Sequence, residues 1–192
     1  MAGELNPVSV AKPTEIHLIP LSELAPGQTG HIRNGIIRSL SVIVASTLRM
    51  SPDKLVVRDI RAKDDLVIYS VATDADIEDW AAKTGTTANV YETMATGTVG
   101  DQRWIAIYGV KDASESKCVS ALKFNIGGGD RVIWQLQCLN EEDGYVGFSP
   151  SVIVMPQNTI YTISRFVRMA NSGSCIVLKG LVIEPRGLVV SP

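Results

Sequence analysis

The chain has 192 residues, 45% of them hydrophobic and 20% charged, with a formal net charge of −2. These values exclude a disordered chain and are sufficient for one large core. A pI near 5.7 offers no global attraction for nucleic acid or an anionic bilayer, so no direct nucleic-acid partner is expected, and the longest apolar runs, such as Ile176-Val177-Leu178, are far too short for a membrane span.

Residues 1–14 hold few large apolar side chains and include Pro7 and Pro13, the composition of an extended arm. The arm has neither the basic nor the apolar region of a signal peptide, so synthesis in the cytoplasm is the expectation. Lys12 is the one Lys or Arg among the first 30 residues, so the arm is not built to neutralise a genome. Residues 16–21 predict a weak edge strand interrupted by Pro20. Residues 37–48, rich in Ser, Val, Ile and Thr, predict a strand on β-branched content. Residues 55–61 and 66–71 predict strands flanking the turn Ala62-Lys63-Asp64-Asp65.

A short helical insertion is predicted at about 74–84. There Thr73 precedes Asp74 and Asp76 as a cap, and Ile77, Trp80 and Ala81 follow at helical spacing. Residues 86–102 fit either a second short helix or a loop. Residues 104–110 alternate as a strand. Leu122, Phe124 and Ile126 then share one face, and Val132, Trp134, Leu136 and Cys138 share another across residues 131–139. The intervening Gly127-Gly128-Gly129-Asp130 is a hairpin turn, because glycine takes positive φ without steric cost. Residues 158–169 and 174–184 predict two further strands joined by Ala170-Asn171-Ser172-Gly173, also of hairpin composition.

About eight to ten short strands without βαβ alternation exclude a doubly wound fold and point to an antiparallel β-sandwich or jelly roll over residues 15–184. Apolar residues on both faces of 175–178 and 181–183 require cover over one sheet, from a helix or a neighbouring subunit. The tail 185–192 carries Leu188, Val189 and Val190, which need a docking site on this domain or a neighbour. Pro7, Pro13, Leu188, Val189 and Val190 are therefore the candidate interface residues.

Nothing in the sequence names a reaction. His17 and His31 lack the spacing of metal ligands, His31 reading as part of a Gly-flanked loop, and Cys118, Cys138 and Cys175 form no Cys-x-x-Cys. Buried thiols are the expectation for the cysteines. Gly127-Gly128-Gly129 lacks the Lys-Ser/Thr of a phosphate loop. Glu141-Glu142-Asp143-Gly144 reads as a solvated turn, and neither it nor Asp74, Asp76 and Glu78 follows the alternate-residue pattern of a calcium loop. No cofactor or metal is expected. Arg33, Arg38, Arg49, Arg58, Arg61 and Lys63 are balanced by Asp53, Asp59, Asp64 and Asp65, the signature of a salt-bridged face.

From Trp104 to Gly187 the order is an Ile/Tyr-rich strand, a Gly-turn hairpin, a loop Asp143-Gly144-Tyr145-Val146-Gly147-Phe148 followed by Pro150 and Pro156, and two long strands. With an arm in front, this order resembles a single jelly-roll capsid or decoration protein of a double-stranded DNA virus. The resemblance implies a non-catalytic structural protein of a virion. Its partners would be itself, as a trimer or pentamer, or other shell proteins. The missing basic arm departs from small RNA-virus coats and fits a shell or decoration role. The alternative is a carbohydrate- or ligand-binding sandwich module without catalysis.

Overall fold

The computed structural model describes residues 29–66, 80–136, 140–142 and 146–188. In chain order these form α1 (Thr29–Leu48), β1 (Leu55–Asp59), α2 (Ala62–Asp65), β2 (Ala81–Lys83), β3 (Val90–Thr98), β4 (Trp104–Asp112) and β5 (Val119–Ile126). Then come β6 (Asp130–Gln135), β7 (Asn140–Glu142), β8 (Val146–Met155), β9 (Ile160–Val167) and β10 (Gly173–Pro185), with 3-10 turns at Pro52–Lys54 and Arg186–Leu188.

The Gly127-Gly128 turn, with φ of 62° and 82°, is the tip of a long antiparallel ribbon. Next to the tip, β5 pairs with β6. Farther out β4 pairs with β8, then β3 with β9, and at the open end β1 with β10. The ribbon rolls so that β10 also pairs with β4 and β9 with β5. Two sheets result, β1-β10-β4-β8-β7 with β2 added along β10, and β3-β9-β5-β6. With the short β2 and β7 set aside, first pairs with last, second with seventh, third with sixth and fourth with fifth among the remaining eight strands, which is the winding of a jelly roll. The antiparallel β-sandwich expected from the alternation is the observed fold.

Between the sheets the core is filled by Phe124, Leu122, Trp134, Tyr161, Ile163, Met155 and their neighbours. Phe124 and Trp134 rings sit 4.9 Å apart. At the register shift between β10 and β4 the backbones crowd. A Cβ on Gly180 would lie 2.7 Å from the Ala106 carbonyl oxygen, beside the register shift between β10 and β4.

Several local expectations are corrected. Residues 37–48 are not a strand but most of α1, because Ile36, Leu40 and Val44 recur every four residues and fall on one buried stripe. β-branched content is a weaker determinant than that spacing. The helical insertion near 74–84 is not found where it can be seen. Residues 74–79 lie outside the described residues, and Ala81–Lys83 is strand β2, drawn into the ladder by Gly173–Cys175. Residues 66–71 are represented by Leu66 alone, a buried bend, and the turn before it is the four-residue helix α2.

Residues 86–102, read as a short helix or a loop, contain β3. The loop drawn over Val146 to Phe148 and Pro150 is part of β8, and Glu141 and Glu142 sit on β7 instead of a turn. Strand 131–139 ends as β6 at Gln135, and Cys138 is outside the described residues. His31 lies within α1, not in a loop. The segment 170–173 closes no hairpin: β9 is flanked by β3 and β5, while β10 belongs to the other sheet, so the turn carries the chain across the sandwich.

Candidate functional site

The outer faces of the two sheets differ in what covers them. On the larger sheet, Leu55, Ala106, Tyr108, Leu181 and Ile183 point outward and pack beneath Ile36, Leu40, Val44 and Ala45 of α1. The cover required by the doubly apolar 181–183 segment is therefore the chain's own helix. Burial there holds the Tyr108 hydroxyl above the ordinary tyrosine range, with Asp59 reinforcing the shift and Arg33 opposing it.

The four-stranded sheet presents its outer face differently. Register places Tyr91, Phe166, Ala121 and Gln135 in one row, Thr93, Ser164, Lys123 and Ile133 in the next, then Thr96, Thr162, Asn125 and Arg131, and finally Thr98 and Ile160. Ile160 is 64% exposed, Ile133 50% and Tyr91 39%. Tyr91 and Phe166 meet edge to face at 5.1 Å, and the Lys123 ammonium reaches across β9 to sit 4.2 Å from the Tyr91 ring centre. Thr96 Oγ1 donates to the Tyr161 carbonyl at 3.0 Å and lies 2.9 Å from Thr162 Oγ1.

One ionic cluster is buried at the open end of the ribbon. Arg58 of β1 donates from both terminal nitrogens to Asp65 at 2.6 and 2.7 Å, and from Nε to Glu184 of β10 at 2.8 Å. Arg103, just before β4, donates from Nε to the other Glu184 oxygen at 2.7 Å. Both carboxylate side chains are wholly buried. Asp65, chiefly, and Glu184 hold the Arg58 guanidinium charged far beyond its ordinary range against the cost of burial. The salt-bridged face expected from the Arg/Asp-rich stretch is seen here and in Arg33–Asp59 at 3.3 Å. A second clamp joins the sheets, with Arg165 donating to Ser174 Oγ at 2.5 Å and lying 3.4 Å from Glu92. Neither Glu184 nor Asp65 stood out in the sequence as one of a buried pair, since 126 positions separate Glu184 from Arg58.

Of the candidate interface residues, Leu188 lies in the 3-10 turn that ends the described chain, 39% exposed. It adjoins an open depression lined by Met50, Asp53, Lys54, Pro185, Arg186 and Gly187, where Arg186 donates to the Asp53 carbonyl at 3.5 Å. Pro7, Pro13, Val189 and Val190 lie outside the described residues, as do the rest of the arm and His17. The Cys118 thiol is buried and the Cys175 thiol half-buried, and neither is in a disulfide. Among the described residues no three His, Cys, Asp or Glu side chains gather as metal ligands, and no helix is long and apolar enough to cross a membrane. Trp134 lies in the inter-sheet core, Trp80 packs against it, and Trp104 packs in the α1 layer.

No family model matches the sequence, and no curated protein matches it. Among solved structures the chain is similar to the GH26-CBM35 β-(1,4)-mannanase of Podospora anserina, at 9% identity and a TM-score of 0.30. That match covers 71% of this chain and 28% of the mannanase chain. A TM-score of this size does not establish a shared fold.

Proposed function

We propose that this chain is a non-catalytic structural assembly protein, a jelly-roll subunit of an oligomeric shell, capsid or decoration layer. The observation that carries the reading is the four-stranded sheet, whose outer face exposes Ile133, Ile160 and Tyr91 with no described element laid over it, while the opposite sheet is roofed by the chain's own helix. Large apolar side chains grouped on one flat face are characteristic of contact surfaces. Jelly rolls serve shells, lectins and small-molecule enzymes alike, so the winding alone does not choose among them. The resemblance of residues 104–187 to viral jelly-roll coats favours the shell.

Two features support a structural over a catalytic role. The buried carboxylates Asp65 and Glu184 are each engaged by arginine, which fixes them as clamps and leaves neither placed as a proton donor. The inter-sheet space, where jelly-roll enzymes hold ligands, is filled by aromatic and aliphatic side chains. A sugar-binding sandwich needs open ring faces. Here the three tryptophans are used in packing, and the Tyr91 ring carries the Lys123 ammonium.

Light scattering on the full chain at micromolar concentration, with electron microscopy of concentrated samples, tests the reading. The expected result is a closed oligomer or particle, reduced in size when residues 1–14 and 185–192 are removed. A well-folded monomer under all conditions would overturn it.

A further inference from the structure

Resting on the assembly reading, we infer that the outer face of β3-β9-β5-β6 is the contact between two copies of this chain, packed sheet to sheet about a two-fold axis. Three features of the face point to a second copy as its occupant.

Size comes first. Four strands at about 4.8 Å spacing, with about eight residues of about 3.3 Å rise each, span roughly 19 by 26 Å. The flat projection, about 500 Å², is of the order of the ~800 Å² per partner that a standard interface buries.

Shape comes second. Thr93, Ser164, Thr96 and Thr162 keep the middle of β3 and β9 low, while Tyr91 with Phe166 stands at one end and Ile160 at the other, and Ile133 lies on the marginal strand β6. A two-fold axis lying in the interface and perpendicular to the strands sets the Ile160 end of each copy over the Tyr91–Phe166 end of its partner. One contact thus occurs twice, as an isologous interface requires. Packed sheets approach to about 10 Å, which low central residues permit.

Polarity comes third. Two cations fall on this face by register, Lys123, laid onto the Tyr91 ring, and Arg131 on the marginal strand β6. The Thr96 hydroxyl is already bonded to the Tyr161 carbonyl and shares a hydrogen bond with Thr162, so covering it strands no donor. An anionic polymer would require a run of cations along the face, which Arg131 beside an engaged Lys123 does not supply, and a glycan an open ring. A like surface requires neither.

The test is sedimentation equilibrium on the full chain and on an Ile133→Glu/Ile160→Glu pair, with a Val42→Glu/Ile43→Glu pair on the exposed side of α1 as comparison. The wild-type protein and the α1 pair should associate, and the sheet pair should be monomeric with an unchanged thermal midpoint. Where the Glu pair fails to fold, Ile133→Thr/Ile160→Thr keeps the β-branched shape and should weaken association about tenfold per lost anchor. An associating sheet pair of wild-type mass, or an unchanged dissociation constant for the Thr pair, overturns this interface and leaves the assembly reading standing. A monomeric wild-type protein overturns both.

Discussion

Glu184 illustrates how much of this structure rests on single side chains. Its carboxylate is fully buried and accepts from two arginines that approach from β1 and from the start of β4. Replacing one partner of a buried pair leaves the others uncompensated, so Glu184→Gln should lower unfolding free energy by about 3–5 kcal/mol in urea titration. Gly180 acts through space instead of charge. An added methyl would press on the Ala106 carbonyl, a backbone atom with no rotamer to give, and Gly180→Ala should cost about 1–3 kcal/mol by the same measurement. Tyr108 sets an alkaline limit. Its hydroxyl ionises later in the folded protein than in the unfolded chain, so above pH about 10 the native state binds more protons than the unfolded state. Stability should therefore fall as pH rises through the ordinary tyrosine range, and Tyr108→Phe should flatten that limb of the pH–stability profile.

Among the elements, α1 shows where sequence reading succeeds and fails. Alternation identified β4, β5, β6, β9 and β10 because each pairs an apolar inner face with a more polar or half-covered outer one. The Gly-rich tip was legible because few residues other than glycine sit comfortably at φ of 62° and 82°. α1 was misread because Ile36, Ile37, Val42, Ile43 and Val44 have strand propensity, while the four-residue spacing of Ile36, Leu40 and Val44 shows its meaning only against the sheet beneath. β3 was missed for the opposite reason. Its buried residues Met94 and Ala95 are adjacent, at a register shift that breaks the period of two. The candidate face itself was invisible, since Tyr91, Lys123, Ile133 and Ile160 come from four strands that only the rolled topology makes neighbours. If α1 is the roof of the larger sheet, Leu40→Ala should cost about 2–5 kcal/mol, and added dye that binds apolar surface should fluoresce before global unfolding.

For the molecule as a whole, the two sheets play separate parts. One is closed by α1 and tied at its margin by the Arg58–Asp65–Glu184–Arg103 cluster, which fixes β1 to the body of the roll. The other has no described element over its outer face, and in the assembly proposed above it would be the contact surface. The division predicts that variants of the clamp change stability, and variants of the open face change association, with little crossover between the two.

The rolled ribbon also dictates an order of events during synthesis. β10 lies between β1 and β4 and supplies the ladder on both sides, yet among the described strands it is the last to leave the ribosome. Until it arrives, β1 and β4 expose unsatisfied edges and α1 has no Leu181 or Ile183 to rest on. The β5–β6 hairpin can form at once, whereas closure joins residues more than a hundred positions apart, as in the Leu55–Pro185 pair. Folding should therefore be slow and completed only once β10 has emerged. The nascent chain is most vulnerable to edge-to-edge mispairing in the interval before β10 closes the roll.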